Sequence, residues 1–170
     1  MTAPIPHQQF VAFPTCERMD AIALWRGKCI GVFARGEQAV LDVLLAATEA
    51  GQKVRFDHLA GQRLQALEAL NAAVDSSEKQ TTNFKSALDS WRSLAEQRRF
   101  IAHGVSSTWT GENGAWLAVF DLNTCLNDKT TKERWTIRHD EVDLFFASLQ
   151  ESFARLKQQL GTLRVRLKSI

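Results

Sequence analysis

The chain has 170 residues, a length at which one domain can bury its own hydrophobic core. Hydrophobic residues make up 45% and charged residues 24%, which are the proportions of a globular protein and exclude a disordered or fibrous chain. The formal net charge of +2 is too small to indicate nucleic acid by itself, so any such contact must depend on a local patch.

The cysteines and the chain start indicate the compartment. Cys16, Cys29 and Cys125 form no pair with the spacing of a zinc site, so we expect reduced thiols, no metal and no cofactor. The segment Met1–Pro14 lacks the basic and apolar regions of a secretory signal. No apolar run reaches the length of a membrane span. We therefore expect a cytoplasmic protein without membrane contact.

The distribution of prolines predicts how the chain is organised. All three prolines precede Thr15, which predicts an N-terminal arm over residues 1–16 and a single helical domain over residues 17–170. Within that domain, apolar residues recur at helical spacing in three segments. They predict helices over about Arg18–Ala50, Asp57–Val74 and Glu78–His103.

The period then changes from helical to alternating. Val105–Thr110 and Ala115–Leu122 alternate as strands do, and the glycine-containing segment 111–114 between them predicts a hairpin. The polar segment 123–133 predicts a loop, and Arg134–Arg138 a third strand.

A long apolar stripe predicts the last helix. Asp140 is its expected N-cap, and leucine, valine and phenylalanine recur at helical spacing from Val142 to Leu167. The predicted fold is therefore mainly α. It is an antiparallel bundle of about four helices, with a small β-hairpin or three-strand meander between the last two helices.

The sequence RRFIAHG, residues 98–104, is the stretch that indicates chemistry. On a continuous third helix Arg98 lies about 20° from Trp91, on the apolar stripe, and about 140° from His103. A guanidinium on that stripe needs a carboxylate, a phosphate or the polar groups of a second copy. Arg98 and His103 cannot converge on one phosphate from a straight helix. Either the helix loosens at Gly104, or two copies face each other.

An arginine, four intervening residues and a histidine at a helix end resemble the motif of the HEPN superfamily (higher eukaryotes and prokaryotes nucleotide-binding). Many of its members are metal-independent ribonucleases. The resemblance implies a homodimer in which both motifs line one cleft. Arg98 would bind the scissile phosphate, His103 would transfer protons, and Arg99 would assist electrostatically as a substrate-binding residue. The implied role is an endoribonuclease of a bacterial toxin or phage-defence system, with RNA as substrate and an antitoxin or regulatory protein as partner.

Arg99 departs from the family pattern, in which the residue after the arginine is usually Asn, Asp or His. A second cation strengthens phosphate binding but cannot replace a hydrogen-bond acceptor. One alternative is therefore a non-catalytic dimerisation or RNA/nucleotide-binding module. Another is a helical adaptor, in which Arg98 pairs with a glutamate such as Glu68 or Glu151 and Gly104 is a left-handed helix cap.

Two further features bear on RNA contact. Trp109, Trp116 and Trp135 lie in or near the hairpin, where tryptophans usually cover a core; one exposed beside His103 would be a platform for a base, and Trp109 is the candidate. The last helix is basic from Arg155 onwards, which is typical of a solvated face but also fits an RNA backbone.

Overall fold

The computed structural model describes residues 10–11, 16–56, 59–74, 76–111, 115–126 and 129–168. Its helices are α1 (Cys16–Glu49), α2 (Ala60–Ala73), α3 (Glu78–Ala95), α4 (Arg98–His103) and α5 (His139–Leu167). Its strands are β1 (Phe10–Val11), β2 (Val105–Gly111), β3 (Trp116–Leu126) and β4 (Lys129–Arg138). The mainly α fold with a small antiparallel sheet before the last helix is confirmed.

Contacts divide the chain into two compact units. We call residues 1–29 with 97–146 the sheet unit, and residues 30–96 with 147–170 the helical unit. Within the described ranges, no helix is long and apolar enough to cross a membrane.

The sheet has the order β1-β2-β3-β4, and all its neighbouring strands are antiparallel. The predicted hairpin is confirmed by the pairing of β2 with β3, for example Thr110 opposite Trp116; residues 112–114 of its turn lie outside the described ranges. The predicted loop over 123–133 is wrong, because β3 continues to Leu126 and β4 begins at Lys129.

Polar cross-strand pairs explain why this segment is a strand pair. The Thr124 and Thr131 hydroxyls lie 2.6 Å apart, and Arg134 donates from Nε and Nη2 to both carboxylate oxygens of Asp121 at 2.6 and 3.1 Å. Such pairs stabilise an antiparallel ladder without apolar side chains. Because this segment is polar, alternation of hydrophobic residues does not predict its strands.

Aromatic rings form the core of the sheet unit. The Trp135 ring lies 5.3 Å from Phe120, 5.5 Å from Phe145, 6.3 Å from Trp25 and 6.4 Å from Phe100, between ring centroids. The Phe120 side chain is fully buried. Trp135 thus covers the core, as expected for a tryptophan on a strand.

The helical unit is built from α2, α3 and segments of the two long helices. The Trp91 ring on α3 lies 5.6 Å from Phe33 on α1 and 6.1 Å from Phe153 on α5. A Cβ atom at Gly36 would overlap the Trp91 indole, so glycine is needed there for α1 and α3 to approach. Arg166 on α5 donates to Asn71 on α2 at 2.6 Å. The four helical segments therefore share one core.

The predicted third helix is wrong in its continuity. It ends at Ala95, and a turn at Glu96 and Gln97 separates it from α4. The Gln97 carbonyl accepts hydrogen bonds from the backbone N–H groups of Phe100 and Ile101, both at 3.1 Å, so α4 begins its own hydrogen-bond ladder there. The orientation of residues in α4 consequently cannot be extrapolated from Trp91.

The predicted N-cap of the last helix is also wrong. Helix α5 begins at His139, and Asp140 lies inside its first turn, where its carboxylate binds the Arg138 guanidinium at 2.9 Å. The Glu141 carboxylate accepts the backbone N–H of Arg138 at 2.9 Å. Glu141 therefore makes the contact of the third helical residue in a capping box, whose side chain accepts the backbone N–H of the residue before the helix.

Candidate functional site

The candidate site is built around the six-residue helix α4, which α1 ties in place. Arg26 of α1 donates from Nε to the Ile101 carbonyl at 2.8 Å and from Nη1 to the Ser106 hydroxyl at 3.2 Å. Its guanidinium carbon also lies 5.5 Å from the centre of the Phe120 ring. Because the last carbonyls of a helix have no partner within it, the Ile101 contact stabilises this end of α4. One arginine thus holds α4 and the start of β2 together.

Gly104 joins α4 directly to β2. Its φ of −67° and ψ of 140° are extended, so the expectation of a left-handed cap is wrong. A Cβ atom there would lie 2.5 Å from the Phe100 carbonyl oxygen and 3.1 Å from the Phe120 Cβ. The glycine therefore permits close approach. As a result, a single residue separates His103 from the first residue of the sheet.

The His103 imidazole is exposed at the last residue of α4. It makes no hydrogen bond or ion pair with any residue that the structure describes. Its side chain is therefore available to a bound molecule.

Arg98 begins the same helix and is half-buried. Helix α4 stays regular to its end, since the Gly104 N–H still donates to the Phe100 carbonyl at 2.9 Å. Five positions of a regular helix correspond to about 140°, so Arg98 and His103 leave α4 in different directions. The helix therefore does not loosen at Gly104. Such loosening would be needed for Arg98 and His103 of one chain to contact the same phosphate.

Arg99 lies in an ion pair that the sequence did not indicate. Its Nη1 and Nη2 atoms donate to the two carboxylate oxygens of Glu133 at 2.9 and 2.5 Å. The guanidinium carbon also lies 4.7 Å from the centre of the Phe100 ring. Since a bidentate carboxylate occupies the face that would bind a phosphate, RNA would have to displace Glu133 or use the remaining donors.

Glu133 was missed because its segment was predicted as a loop. The signal that could have found it is the alternation of Glu133, Trp135 and Ile137, which places all three on one face of β4. That face meets α4, because Trp135 contacts Phe100 and Glu133 contacts Arg99.

The glutamates proposed as partners for Arg98 pair with other arginines. Glu68 lies 2.7 Å from Arg92, and Glu151 lies 2.5 Å from Arg155. Both contacts belong to the helical unit.

We call the opposite face of the sheet the outer face; most of its described side chains are exposed, Leu117 and Asp121 are half-buried, and Val119 is buried. Its described side chains are those of Val105, Ser107 and Trp109 on β2, Leu117, Val119, Asp121, Asn123 and Cys125 on β3, and Thr130, Lys132, Arg134, Thr136 and Arg138 on β4. Trp109 is 38% exposed, whereas Trp116 and Trp135 are half-buried. Trp109 lies about 13 Å along β2 from Val105, the first strand residue after Gly104, so it is further from His103 than expected.

Charge on the outer face is concentrated around Asp121. The hydrogen bond and positive charge of Arg134, with a further contribution from Lys132, hold the pKa of Asp121 below its ordinary value. The same contact raises the pKa of Arg134. Together with Asn123 and Glu133 these residues line an open depression of about 520 Å³.

Comparison with known proteins adds no relative. No family model matches the chain, and no curated protein or solved structure matches it. Among the described residues, no three His, Cys, Asp or Glu side chains are grouped so that they could hold a metal ion.

Proposed function

We propose that this chain is a HEPN-like, metal-independent endoribonuclease that acts as a homodimer. His103 transfers protons, and Arg98 binds the scissile phosphate. The observation that carries the proposal is the placement of both residues on α4, a short helix held by Arg26 and Gly104, with the imidazole exposed and uncommitted.

The reaction needs no group that the chain lacks. The RNA 2′-hydroxyl attacks the adjacent phosphorus, its proton passes to a base, and the 5′-oxygen leaves with a proton from an acid. The products are a 2′,3′-cyclic phosphate and a 5′-hydroxyl. Histidine titrates near neutrality, so one His103 at each site can take the proton of the 2′-hydroxyl as a base and return it to the 5′-oxygen as an acid. Arg98 stays charged and stabilises the phosphorane oxygens.

The dimer is part of the proposal because of the geometry of α4. Arg98 and His103 diverge by about 140° on one helix, so one copy cannot place both at the same phosphate. Two facing copies would let Arg98 of one chain meet His103 of the other, as the two-fold symmetry of most homodimers allows.

Incubation of labelled single-stranded RNA in EDTA tests the activity. Wild type should cut the RNA, and His103→Ala should lower the rate by about 10²–10⁴-fold because the proton-transfer group is lost. His139→Ala is the matched control, since His139 is also an exposed histidine of the sheet unit. Unchanged circular dichroism would show that both variants fold. Cleavage by His103→Ala at the wild-type rate would contradict the proposal.

The proposed setting is a bacterial toxin or phage-defence system in the cytoplasm, held in check by an antitoxin or regulatory protein. Overexpression of wild type should then arrest growth. His103→Ala should relieve the arrest at equal protein level.

A second candidate is a non-catalytic RNA-binding dimer, which the Arg99–Glu133 ion pair favours. The residue after Arg98 is then a cation, Arg99, whose charge Glu133 neutralises, whereas the family pattern has a hydrogen-bond acceptor at that position. This protein would retain RNA in a salt-sensitive way and leave it intact in the same assay.

A further inference from the structure

We infer that the outer face of the sheet binds single-stranded RNA, with Trp109 stacking on a base and Lys132, Arg134 and Arg138 contacting phosphates. This inference rests on the proposed function in taking RNA as the substrate. It adds a binding surface separate from Arg98 and His103.

The register of the β-strands places the aromatic ring and the cations where one RNA strand could contact all of them. Trp109 is paired with Leu117, and Leu117 with Arg138, so Trp109 and Arg138 lie in one row across the sheet. Two strand spacings separate them by about 10 Å. Val105 and Arg134 lie on either side of Asp121 in a second such row, four residues along β2 from Trp109.

Trp109 has the properties of a stacking platform. It stands on the outer face with 38% of its surface exposed, next to Leu117, which lies on the same face and is half-buried. An exposed indole on such a face offers its ring to any base, because every base has a π-face. Bases of a duplex are already stacked on each other, so a single strand is the form that such a ring can bind.

The charges of this face are complementary to RNA. Arg134 and Arg138 each have 64% of their side chain exposed, and Lys132 is also exposed. The carboxylates paired with the two arginines are those of Asp121 and Asp140, so the three cations leave one net positive charge. Cations spaced along β4, with Trp109 in the same row of the sheet as Arg138, combine charge and an aromatic ring in the way that binds a single-stranded phosphate backbone.

The ion pairs of the two arginines orient them without exhausting their donors. Arg134 uses Nε and Nη2 to bind Asp121, and Arg138 uses Nε and Nη2 to bind Asp140. A guanidinium has about five N–H donors in a fixed fork, so Nη1 in each remains for a phosphate. The paired carboxylates therefore hold each guanidinium in position.

The face is also continuous with the candidate catalytic helix. Its first residue, Val105, follows His103 after a single glycine and is 75% exposed. An RNA strand crossing from Trp109 towards Val105 would arrive at the end of α4. RNA bound along the outer face would thus reach the His103 imidazole.

Fluorescence polarisation with a short labelled oligouridine tests the inference, using the full chain with His103→Ala so that RNA is not cut. In this background Trp109→Leu should raise Kd about tenfold, and Trp109→Phe should stay near the parent because a ring is kept. The double variant Lys132→Gln/Arg138→Gln should weaken binding and reduce the slope of log K against log salt by about 1.4.

Arg155→Gln is the matched charge control, because Arg155 is 62% exposed and ion-paired like the outer-face arginines but lies on α5 in the helical unit. It should bind like the parent. Equal weakening by Arg155→Gln and by the double variant would overturn the assignment to the sheet. Thermal melts confirm that all variants fold.

The outcomes separate the two proposals. If wild type cuts RNA but the outer-face variants bind like their parent, the endoribonuclease stands and the inference fails. If those variants lose binding but wild type does not cut, the inference stands and the endoribonuclease fails. If Trp109→Leu abolishes self-association and leaves RNA binding unchanged, the face is a protein interface and the inference is overturned.

Discussion

The two units of the chain differ in whether their core residues contact the candidate functional residues. In the sheet unit, four aromatic rings contact Trp135, and one of them, Phe100, belongs to the helix that begins and ends in candidate functional residues. In the helical unit, Trp91 lies among Phe33, Phe153 and an aliphatic core. All four candidate residues, Arg98, Arg99, His103 and Trp109, belong to the sheet unit.

This difference indicates which part of the chain fixes the positions of the candidate functional residues. A strand fixes the direction of each side chain, and Gly104 links β2 to α4 without a loop, so the sheet positions α4. The bulk of the buried aliphatic residues, by contrast, lies in the helical unit and stabilises the fold. Substitutions in the two units should therefore have different consequences for RNA.

The largest expected effect is that of removing either central tryptophan. Trp135→Ala and Trp91→Ala should each lower the free energy of unfolding by about 3–5 kcal/mol, because each leaves a cavity among aromatic rings. Denaturant titration measures the loss. Hydrogen exchange in native conditions should then show faster exchange in β2–β4 for Trp135→Ala and in α2 and α3 for Trp91→Ala.

The two variants should also differ in function. At a temperature where both remain folded, Trp135→Ala should lose RNA cleavage and Trp91→Ala should keep it, since Trp135 contacts Phe100 of α4. Equal exchange patterns, or equal cleavage, would remove the distinction between the units.

A smaller effect is expected at two glycines of α1. Gly36→Ala should cost about 1–3 kcal/mol, because the new methyl group would overlap the Trp91 indole. Gly27→Ala should instead stabilise by about 0.5–1 kcal/mol, since no atom lies within 4 Å of a Cβ there and alanine favours the helix. Opposite shifts in Tm check the pair; shifts of the same sign would contradict the close approach of α1 and α3.

The smallest effect concerns the charge pair of the outer face. Arg134→Gln should raise the pKa of Asp121 towards its ordinary value of 3.8, because the hydrogen bond and positive charge that lower it are lost. A carboxyl group with a lowered folded-state pKa adds stability above its unfolded pKa and loses it as the pH falls through the folded value. NMR titration of the Asp121 carboxyl carbon measures the change, with Arg155→Gln as the control that should leave it unaltered.

Long apolar stripes made the helices predictable from the sequence. The sequence predicts α1, α2 and α5 because their buried apolar residues recur at the helical period. The break at Glu96–Gln97 carries no glycine or proline, so no local signal marks it. The ladder between β3 and β4 is polar over Asn123–Glu133, and hydrophobic alternation cannot find a strand whose side chains face water.

The candidate site was predictable only in part. Arg98 and His103 are visible as a local motif on one helix. The Arg99–Glu133 ion pair joins residues 34 positions apart, and the contact of Arg26 with Ile101 joins residues 75 apart. Such contacts depend on the folded topology, which no local spacing encodes.

Subunit mixing tests the central claim most directly, that Arg98 of one copy and His103 of another form one site. Arg98→Ala and His103→Ala should each be inactive alone against RNA in EDTA. When the two variants are unfolded, mixed in equal amounts and refolded, half of the dimers should contain one intact site. Cleavage should then return to about a quarter of the wild-type rate. No recovery in a mixture shown to contain heterodimers would contradict the account.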